Sequence, residues 1–149
     1  MKMSKILKGR GLSDGIAEGE ALITSQPFSI SAAFTFPLIQ FSKKLKVADR
    51  THELYRKDVR DKVLIFPYPI GTTTLGFVLL ETIHRGIGPR AIVCERGEPL
   101  MSSGAVAADI FFDIQFPIVD QISFENLKKI KNGTLVRVNG TTGSIEIIE

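Results

Sequence analysis

Three short runs of apolar residues stand out along the chain. The segments Lys62–Phe66, Ala91–Cys94 and Phe116–Val119 are almost continuously apolar. Runs of roughly four to eight such residues are typical of strands that are buried on both faces. We therefore predict three buried strands in the central and C-terminal parts of the chain.

Helices are predicted next to these strands. Apolar residues recur at helical spacing from about Thr74 to Arg85, where Gly86 is expected to end the helix, and a threonine hydroxyl of this segment is a candidate N-cap. A second helix is predicted from Leu100 to about Ala108, and its many small residues would let it approach a neighbouring helix closely. Ser123 is expected to cap a short third helix, Phe124–Ile130.

The N-terminal part of the chain has a different pattern. Glycines recur there, and Glu20–Thr24 and Phe28–Ile30 are predicted as short strands. The segment Phe34–Val47 is rich in apolar residues, but Pro37 argues against a helix running through it. We therefore predict extended structure for that segment.

A β-hairpin is predicted at the C-terminus. Residues of Thr134–Val138 and Ser144–Ile148 alternate between apolar and polar on either side of a turn rich in glycine and threonine. The order of elements is then β-rich, βαβαβα and hairpin. Strands that alternate with helices predict parallel strands joined by right-handed crossovers. We expect an α/β fold of one domain, residues 1–149, in which the flanking β segments pack on the central unit as a layered β/β/α arrangement.

Composition narrows the class of protein. The 149 residues are 44% hydrophobic and 23% charged, which is ordinary for a globular protein, and the net charge is only +3. The two short lysine runs are interpreted as solvated faces, because a nucleic-acid interface needs a concentrated basic patch with stacking aromatics. No apolar stretch resembles a signal peptide or approaches the length of a membrane span. We expect a soluble, cytoplasmic protein that binds neither nucleic acid nor membrane.

Few residues could carry chemistry. Cys94 is the only cysteine and lies in a predicted buried strand, so it is expected to be inert. His52 is expected in a surface loop and His84 near a helix end, and the two are too far apart in sequence to suggest a metal site. Glu98 could cap a helix or reach a ligand, and capping is favoured. A chain this poor in such groups resembles one half of a shared active site.

The turn before the predicted helix at Thr74 is the sharpest local feature. Gly71–Gly76 contains three threonines and two glycines directly after a buried strand and a proline-rich turn. Ligands of open α/β sheets bind at the carboxyl ends of strands, and a helix N-terminus favours an anion. The turn is not a P-loop, because no lysine follows the second glycine. It is either a site for phosphate or carboxylate, or a structural cap.

Several blocks along the chain carry a resemblance to a known family. They are Gly15–Leu22, Lys62–Pro67, Gly71–Thr74, Val78–Glu81, Arg85–Gly86, Pro89–Val93, Glu98–Leu100, Gly104–Ala105 and the C-terminal hairpin. Each block is weak alone, but the set covers nearly the whole chain and is specific. On these blocks the chain resembles the aconitase X swivel domain, the small-subunit part of aconitase X-type dehydratases.

The resemblance implies a swivelling β/β/α fold that docks on a separate large subunit. In that family the large subunit carries the iron–sulfur cluster, so no cofactor is expected on this chain alone. The archaeal form dehydrates mevalonate 5-phosphate to trans-anhydromevalonate 5-phosphate in isoprenoid biosynthesis, and a related bacterial form dehydrates cis-3-hydroxy-L-proline. The implied enzyme is a heterodimeric hydro-lyase that is active only when both subunits are present.

Site residues follow from the same resemblance. The central motif of the family is usually Gly-Arg-Gly-Ser-Ser, and it resembles a turn of aconitase whose first serine removes the substrate proton. By position, the resemblance gives that role to Thr72, held as an alkoxide-like species by backbone N–H groups. Gly71, Thr73 and Thr74 are the implied substrate-binding residues, with the two threonines binding an anionic group. The cluster of the partner would accept the departing hydroxyl as a Lewis acid.

The chain departs from the family pattern at three places. Ile70 stands where the family has arginine, Leu75-Gly76 stands where it has Gly-Ser, and Ala33–Pro37 stands where it has Gly-Gly-Val-Asp-Pro. Loss of the arginine removes a charge that could bind phosphate or carboxylate. The departures leave three alternatives open. These are a mevalonate 5-phosphate dehydratase subunit, a subunit for another hydroxy acid such as cis-3-hydroxy-L-proline, and a diverged subunit that binds a partner without catalysis.

Overall fold

The computed structural model describes residues 5–148, which form eight strands and four helices. In chain order these are β1 (Lys5–Lys8), β2 (Arg10–Ser13), β3 (Ile16–Ile23), α1 (Ile30–Ile39), β4 (Val63–Phe66), α2 (Leu75–Arg85), β5 (Ala91–Cys94), α3 (Pro99–Phe112), β6 (Ile118–Asp120), α4 (Phe124–Leu127), β7 (Leu135–Asn139) and β8 (Ser144–Ile148). No helix in residues 5–148 is long and apolar enough to cross a membrane.

All eight strands belong to one sheet, in the order β1-β8-β7-β3-β4-β5-β6-β2. Strand β3 joins two halves of this sheet. Its first part, Ile16–Glu20, pairs antiparallel with β7, and its last part, Ala21–Ile23, pairs parallel with β4. The parallel half continues through β5 and β6, and the predicted hairpin is confirmed as β7 and β8. The edge strands β1 and β2 are separated only by Gly9, so the sheet curls until its two edges approach each other.

Side-chain alternation in the parallel half produces two apolar cores. Leu64 and Phe66 face the helices, whereas Val63 and Ile65 of the same strand pack against Val136 and its neighbours in the antiparallel half. A strand that is covered on both faces must be apolar at every position, which explains the continuous runs in the sequence. The predicted β/β/α layering is therefore confirmed.

The prediction of extended structure for Phe34–Val47 is wrong, because its first part belongs to helix α1. The side chain of Ser29 accepts a hydrogen bond from the backbone N–H of Ala32 at 3.1 Å and caps this helix. Pro37 cannot donate to the carbonyl of Ala33, as a helix requires, but the backbone N–H of Ala48 donates to that carbonyl at 2.9 Å. An internal proline removes one helical hydrogen bond, and its ring crowds the carbonyl of the preceding turn. The bond from Ala48 compensates for the first of these two penalties.

Other element boundaries shift modestly from the predicted ones. Of the predicted strand Phe28–Ile30, only a bridge from Phe28 to Pro69 forms, and Ile30 already belongs to α1. Helix α3 runs one turn beyond Ala108 to Phe112. Helix α4 ends at Leu127, and Ser123 occupies its N-cap position without a side-chain bond, contrary to the predicted cap.

Candidate active site

Three helices begin at the same edge of the sheet. The parallel strands β3, β4 and β5 are neighbours, and they are followed in the chain by α1, α2 and α3. Their carboxyl ends therefore bring three helix N-termini together at the edge where open α/β sheets bind ligands. Each N-terminus carries a partial positive charge. This edge consequently favours an anionic ligand.

A cluster of three hydroxyl groups lies between the starts of α1 and α2. The Oγ atom of Ser31 is 2.7 Å from Oγ1 of Thr72 and 3.1 Å from Oγ1 of Thr74, and the two threonine oxygens are 3.4 Å apart. Ser31 and Thr72 are half-buried, whereas Thr74 is exposed. Hydroxyl groups both donate and accept hydrogen bonds, so this cluster can pass a proton between its members. We refer to Ser31, Thr72 and Thr74 as the hydroxyl cluster.

Sequence reasoning did not single out Ser31. The residue lies in the first turn of α1, within the part of the chain where no helix was predicted. A signal was nevertheless present, because Ser29 stands just before an apolar run, and serine at that place is typical of a helix N-terminus. Recognising α1 would have placed Ser31 at the carboxyl edge of the sheet.

The predicted site residues occupy different sides of α2. Thr72 and Thr74 belong to the hydroxyl cluster, but Thr73 is exposed on the side of α2 that faces α3. Gly71 is exposed, and a Cβ atom built on it would lie 3.9 Å from the side chain of Glu98. The structure thus brings two of the four residues into one hydrogen-bonded group and places the other two beside it.

The prediction that a threonine hydroxyl caps α2 is wrong. Thr74 occupies the N-cap position, but its backbone has helical dihedral angles and its side chain makes no capping bond. The hydroxyl of Thr74 is within hydrogen-bond distance of Ser31 instead. The C-terminal end agrees with the prediction, because Gly86 ends the helix in the left-handed region that glycine adopts without steric cost.

A close contact between two glycines sets the position of α2 against α3. A Cβ atom at Gly104 would lie 2.6 Å from the carbonyl oxygen of Gly76, and one at Gly76 would lie 2.9 Å from the carbonyl oxygen of Leu100. Only glycine fits at such distances, because the obstructing atoms belong to the backbone. The predicted close approach of the small-residue helix is confirmed. A serine at position 76, as in the family pattern, would require α3 to move away.

Glu98 caps the third helix at this edge. Its Oε2 atom accepts a hydrogen bond from the backbone N–H of Met101 at 3.2 Å, and Pro99 occupies the first helical position, where its missing N–H has no cost. The expectation that Glu98 serves as a cap is confirmed. Its carboxylate also lies beside Gly71, so it forms one wall of the site.

His52 is buried rather than exposed in a surface loop, which corrects the prediction. Only 8% of its surface is accessible, and its ring packs edge-on against Phe28 at a centroid distance of 5.2 Å. The backbone N–H of Leu54 donates to Nδ1 at 3.0 Å, which leaves Nε2 to donate to the carbonyl of Pro27 at 3.1 Å. Nε2 thus holds the loop that precedes α1 through Pro27, and Nδ1 holds the turn that contains His52 itself.

Cys94 is shielded from solvent. It is fully buried in the core, and burial, together with the nearby carboxylate of Asp120, raises the pKa of its thiol to about 12. A thiol with so high a pKa is neither a good nucleophile nor a ready metal ligand.

His84 is exposed, and its ring stacks on that of Phe112 at a centroid distance of 4.1 Å. Within residues 5–148, no three His, Cys, Asp or Glu side chains are grouped to hold a metal ion.

Comparison with known proteins places the chain in a family. A family model for the aconitase X swivel domain matches residues 6–147. The chain belongs to the aconitase X swivel domain family. It is 34% identical over 143 residues to the phosphomevalonate dehydratase small subunit of Methanosarcina acetivorans, a match that covers 96% of this chain and 91% of the relative. It is 32% identical to the protein of the same name from Methanocaldococcus jannaschii, with 95% and 97% covered.

A solved structure agrees with this assignment. The crystal structure of Thermococcus kodakaraensis aconitase X in its holo form matches with a TM-score of 0.81 and 29% identity, covering 97% of this chain and 99% of that one. The swivel-domain fold expected from the resemblance is therefore confirmed.

Two of the residues that depart from the family pattern lie in different surroundings. Ile70 is half exposed at the edge of the sheet, whereas Leu75 is fully buried in the core on the helix side.

Proposed function

We propose that this chain is the small subunit of a heteromeric aconitase X-type dehydratase that converts mevalonate 5-phosphate to trans-anhydromevalonate 5-phosphate in the cytoplasm. In this proposal residues 1–149 act as one domain and are active only with a large subunit. The proposal is carried by the similarity, over nearly the whole chain, to relatives named phosphomevalonate dehydratase small subunits. The hydroxyl cluster at the carboxyl edge of the sheet supports it.

The proposed enzyme divides its chemistry between the two subunits. The residues of this chain do not fit an iron–sulfur cluster, because the single cysteine is buried with a raised pKa and the described residues hold no group of metal-ligating side chains. The cluster implied by the resemblance therefore belongs to the large subunit in this proposal. The contribution of this chain is to bind the substrate and to move a proton.

Thr72 is the proposed base. Its Oγ1 atom, as an alkoxide, would take the proton from the carbon next to the one that bears the hydroxyl, and a carbon–carbon double bond forms as hydroxide leaves. A free hydroxyl has far too high a pKa for this role, so the negative oxygen needs stabilisation. Ser31, with its Oγ 2.7 Å away, can donate a hydrogen bond to it, and the N-terminal ends of α1 and α2 contribute favourable dipoles.

The substrate phosphate is proposed to bind at Gly71, Thr73 and Thr74. These residues border the start of α2, and all three are exposed. No side chain with a formal charge bonds to the hydroxyl cluster within residues 5–148, the neighbouring Ile70 is apolar, and the carboxylate of Glu98 beside Gly71 would repel a phosphate. The cation that neutralises the phosphate would therefore come from the large subunit.

Co-expression with the large subunit from the same organism tests the proposal. The complex would be purified without oxygen, its iron–sulfur cluster reconstituted, and its activity measured on mevalonate 5-phosphate and on cis-3-hydroxy-L-proline. Expected is dehydration of that substrate by the complex and none by either subunit alone. Turnover of cis-3-hydroxy-L-proline instead would support the alternative substrate. A stable reconstituted complex that dehydrates neither compound would contradict the proposed reaction.

A further inference from the structure

An exposed phenylalanine with a groove on each side lies directly beside the proposed active site. Phe77 is in the first turn of α2, and 76% of its surface is accessible. A groove on one side of it separates α2 from α1 and has a volume of about 550 Å³, and a groove on the other side separates α2 from α3. Thr74 lines the first groove and Thr73 lines the second, so both grooves extend to the turn that carries the site. We call Phe77 and its two grooves the Phe77 face.

The walls of the Phe77 face are apolar. The groove against α1 is bordered by Ile39 and Phe41, which are 67% and 79% exposed, and the groove against α3 is bordered by Leu80 and Leu100. An aromatic side chain presents about 150–250 Å² when fully exposed, so the two phenylalanines alone expose on the order of 300 Å². The largest apolar patch on a typical soluble monomer measures about 300–600 Å² and is often functional, so a patch of this size is a candidate interaction site.

The charges in these grooves are already paired. The Nε atom of Arg85 is 2.8 Å from Oε1 of Glu81, and its guanidinium group lies over the ring of Phe41 at 4.9 Å. The same guanidinium donates to the carbonyl oxygen of Leu38 at 2.8 Å. A surface whose ionic groups are paired with each other offers little attraction to a charged ligand. It is suited to an apolar protein surface.

The opposite side of the molecule is different in character. Exposed side chains of the antiparallel half form ion pairs across strands, in which Arg137 binds Glu18 and Glu146. Lys62, at the start of β4, binds Glu20 at 2.7 Å. These pairs are solvated and typical of a surface that remains in water. The two sides thus differ in what they can bind.

We infer that the Phe77 face is the surface on which the large subunit docks. The inference rests on the proposed function, because a shared active site requires the large subunit to cover the turn Gly71–Thr74, and the face is continuous with that turn through Thr73 and Thr74. The matching surface of the large subunit must be apolar, with side chains that enter the grooves on both sides of Phe77. Phe77 is the central anchor, since buried aromatic residues near the middle of an interface dominate binding.

Substitution of Phe77 tests the inference. Phe77→Gln and the control Ile110→Gln each replace an exposed apolar residue of a helix with a good helix former, and Ile110 is 71% exposed on α3, on the side away from Phe77. The Kd between each small-subunit variant and the wild-type large subunit would be measured by calorimetry. Phe77→Gln is expected to raise the Kd at least tenfold, and Ile110→Gln is expected to leave it within twofold. Thermal melting of the isolated variants checks that both fold.

Three outcomes would overturn the inference. Equal values of Kd for wild type and Phe77→Gln, with the large subunit bound by both, would reject the docking surface but leave the proposed function intact. A wild-type chain that self-associates, with Phe77→Gln monomeric and still binding the large subunit normally, would assign the face to a second copy of this chain. No binding of the large subunit by the wild-type chain would reject both proposals.

Discussion

The hydroxyl oxygens of Ser31 and Thr72 lie 2.7 Å apart, although 41 residues separate them in the chain. Ser31 is in the first turn of α1, and Thr72 is in the turn that leads into α2. The contact exists because β3 and β4 are adjacent parallel strands, whose carboxyl ends direct the following segments to the same edge of the sheet. It joins Thr72, which the family resemblance indicates as base, to Ser31, which the resemblance does not indicate.

Thr72→Ala is expected to lower kcat of the reconstituted complex by several orders of magnitude, because it removes the proposed base. The free energy of unfolding should change by no more than about 1 kcal/mol, since Thr72 contributes only hydrogen bonds of the partly exposed hydroxyl cluster. The matched control is Thr72→Ser, which retains the hydroxyl and should retain substantial activity. A Thr72→Ala complex with nearly wild-type kcat would show that the turn has only a structural role.

Ser31→Ala is expected to reduce kcat at least tenfold, because Thr72 loses the donor that stabilises its negative oxygen. Ser29→Ala is the matched control two residues away, where the serine caps α1. It should cost about 1 kcal/mol of stability and affect kcat much less. Kinetics and thermal melting of both variants separate the two roles. The assignment of Ser31 fails if both variants lose stability and activity in the same proportion.

Gly104→Ala is expected to destabilise the protein by about 1–3 kcal/mol, because its Cβ would lie 2.6 Å from the carbonyl oxygen of Gly76. A backbone oxygen cannot rotate away, so α2 and α3 must separate. The control is Val106→Ala on the exposed side of the same helix, which should change stability by about 0.5 kcal/mol or less. Urea denaturation of both variants provides the measurement. Equal midpoints would mean that the helices tolerate a wider spacing.

Cys94 is expected to resist alkylation in the folded protein at about pH 8 and to react fully in urea, because burial raises the pKa of its thiol to about 12. The unfolded chain has the ordinary thiol pKa of 9.0, so above that pH the unfolded state loses a proton that the folded state retains. The contribution of Cys94 to stability is therefore complete below about pH 9 and declines as the pH rises towards 12. Rapid labelling of the native protein would contradict its burial.

Local patterns in the sequence were sufficient for much of the secondary structure. The runs that contain Val63–Phe66 and Ala91–Cys94 are apolar at every position because both faces of the strands are covered, and Gly86 ends α2 because it adopts positive φ without cost. The alternation in β7 and β8 likewise requires only neighbouring residues. Each of these features is marked by the residue types within one short segment, so the sequence alone is enough to indicate it. The family resemblance likewise rests on short blocks of neighbouring residues, which the sequence shows directly.

Only the tertiary structure determined where distant segments meet. Helix α1 tolerates Pro37 because Ala48, eleven residues later, donates to the carbonyl that the proline leaves free, and no local rule anticipates that bond. Ser31 joins Thr72 for a comparable reason, since the pairing of β3 with β4 decides which helix starts are neighbours. The sequence by itself determined the central strands, helices α2 and α3 and the C-terminal hairpin, and the family resemblance indicated Thr72. Long-range strand pairing and helix packing decided the hydroxyl cluster and the Phe77 face, because each is composed of residues from separate elements that come together only when the sheet forms.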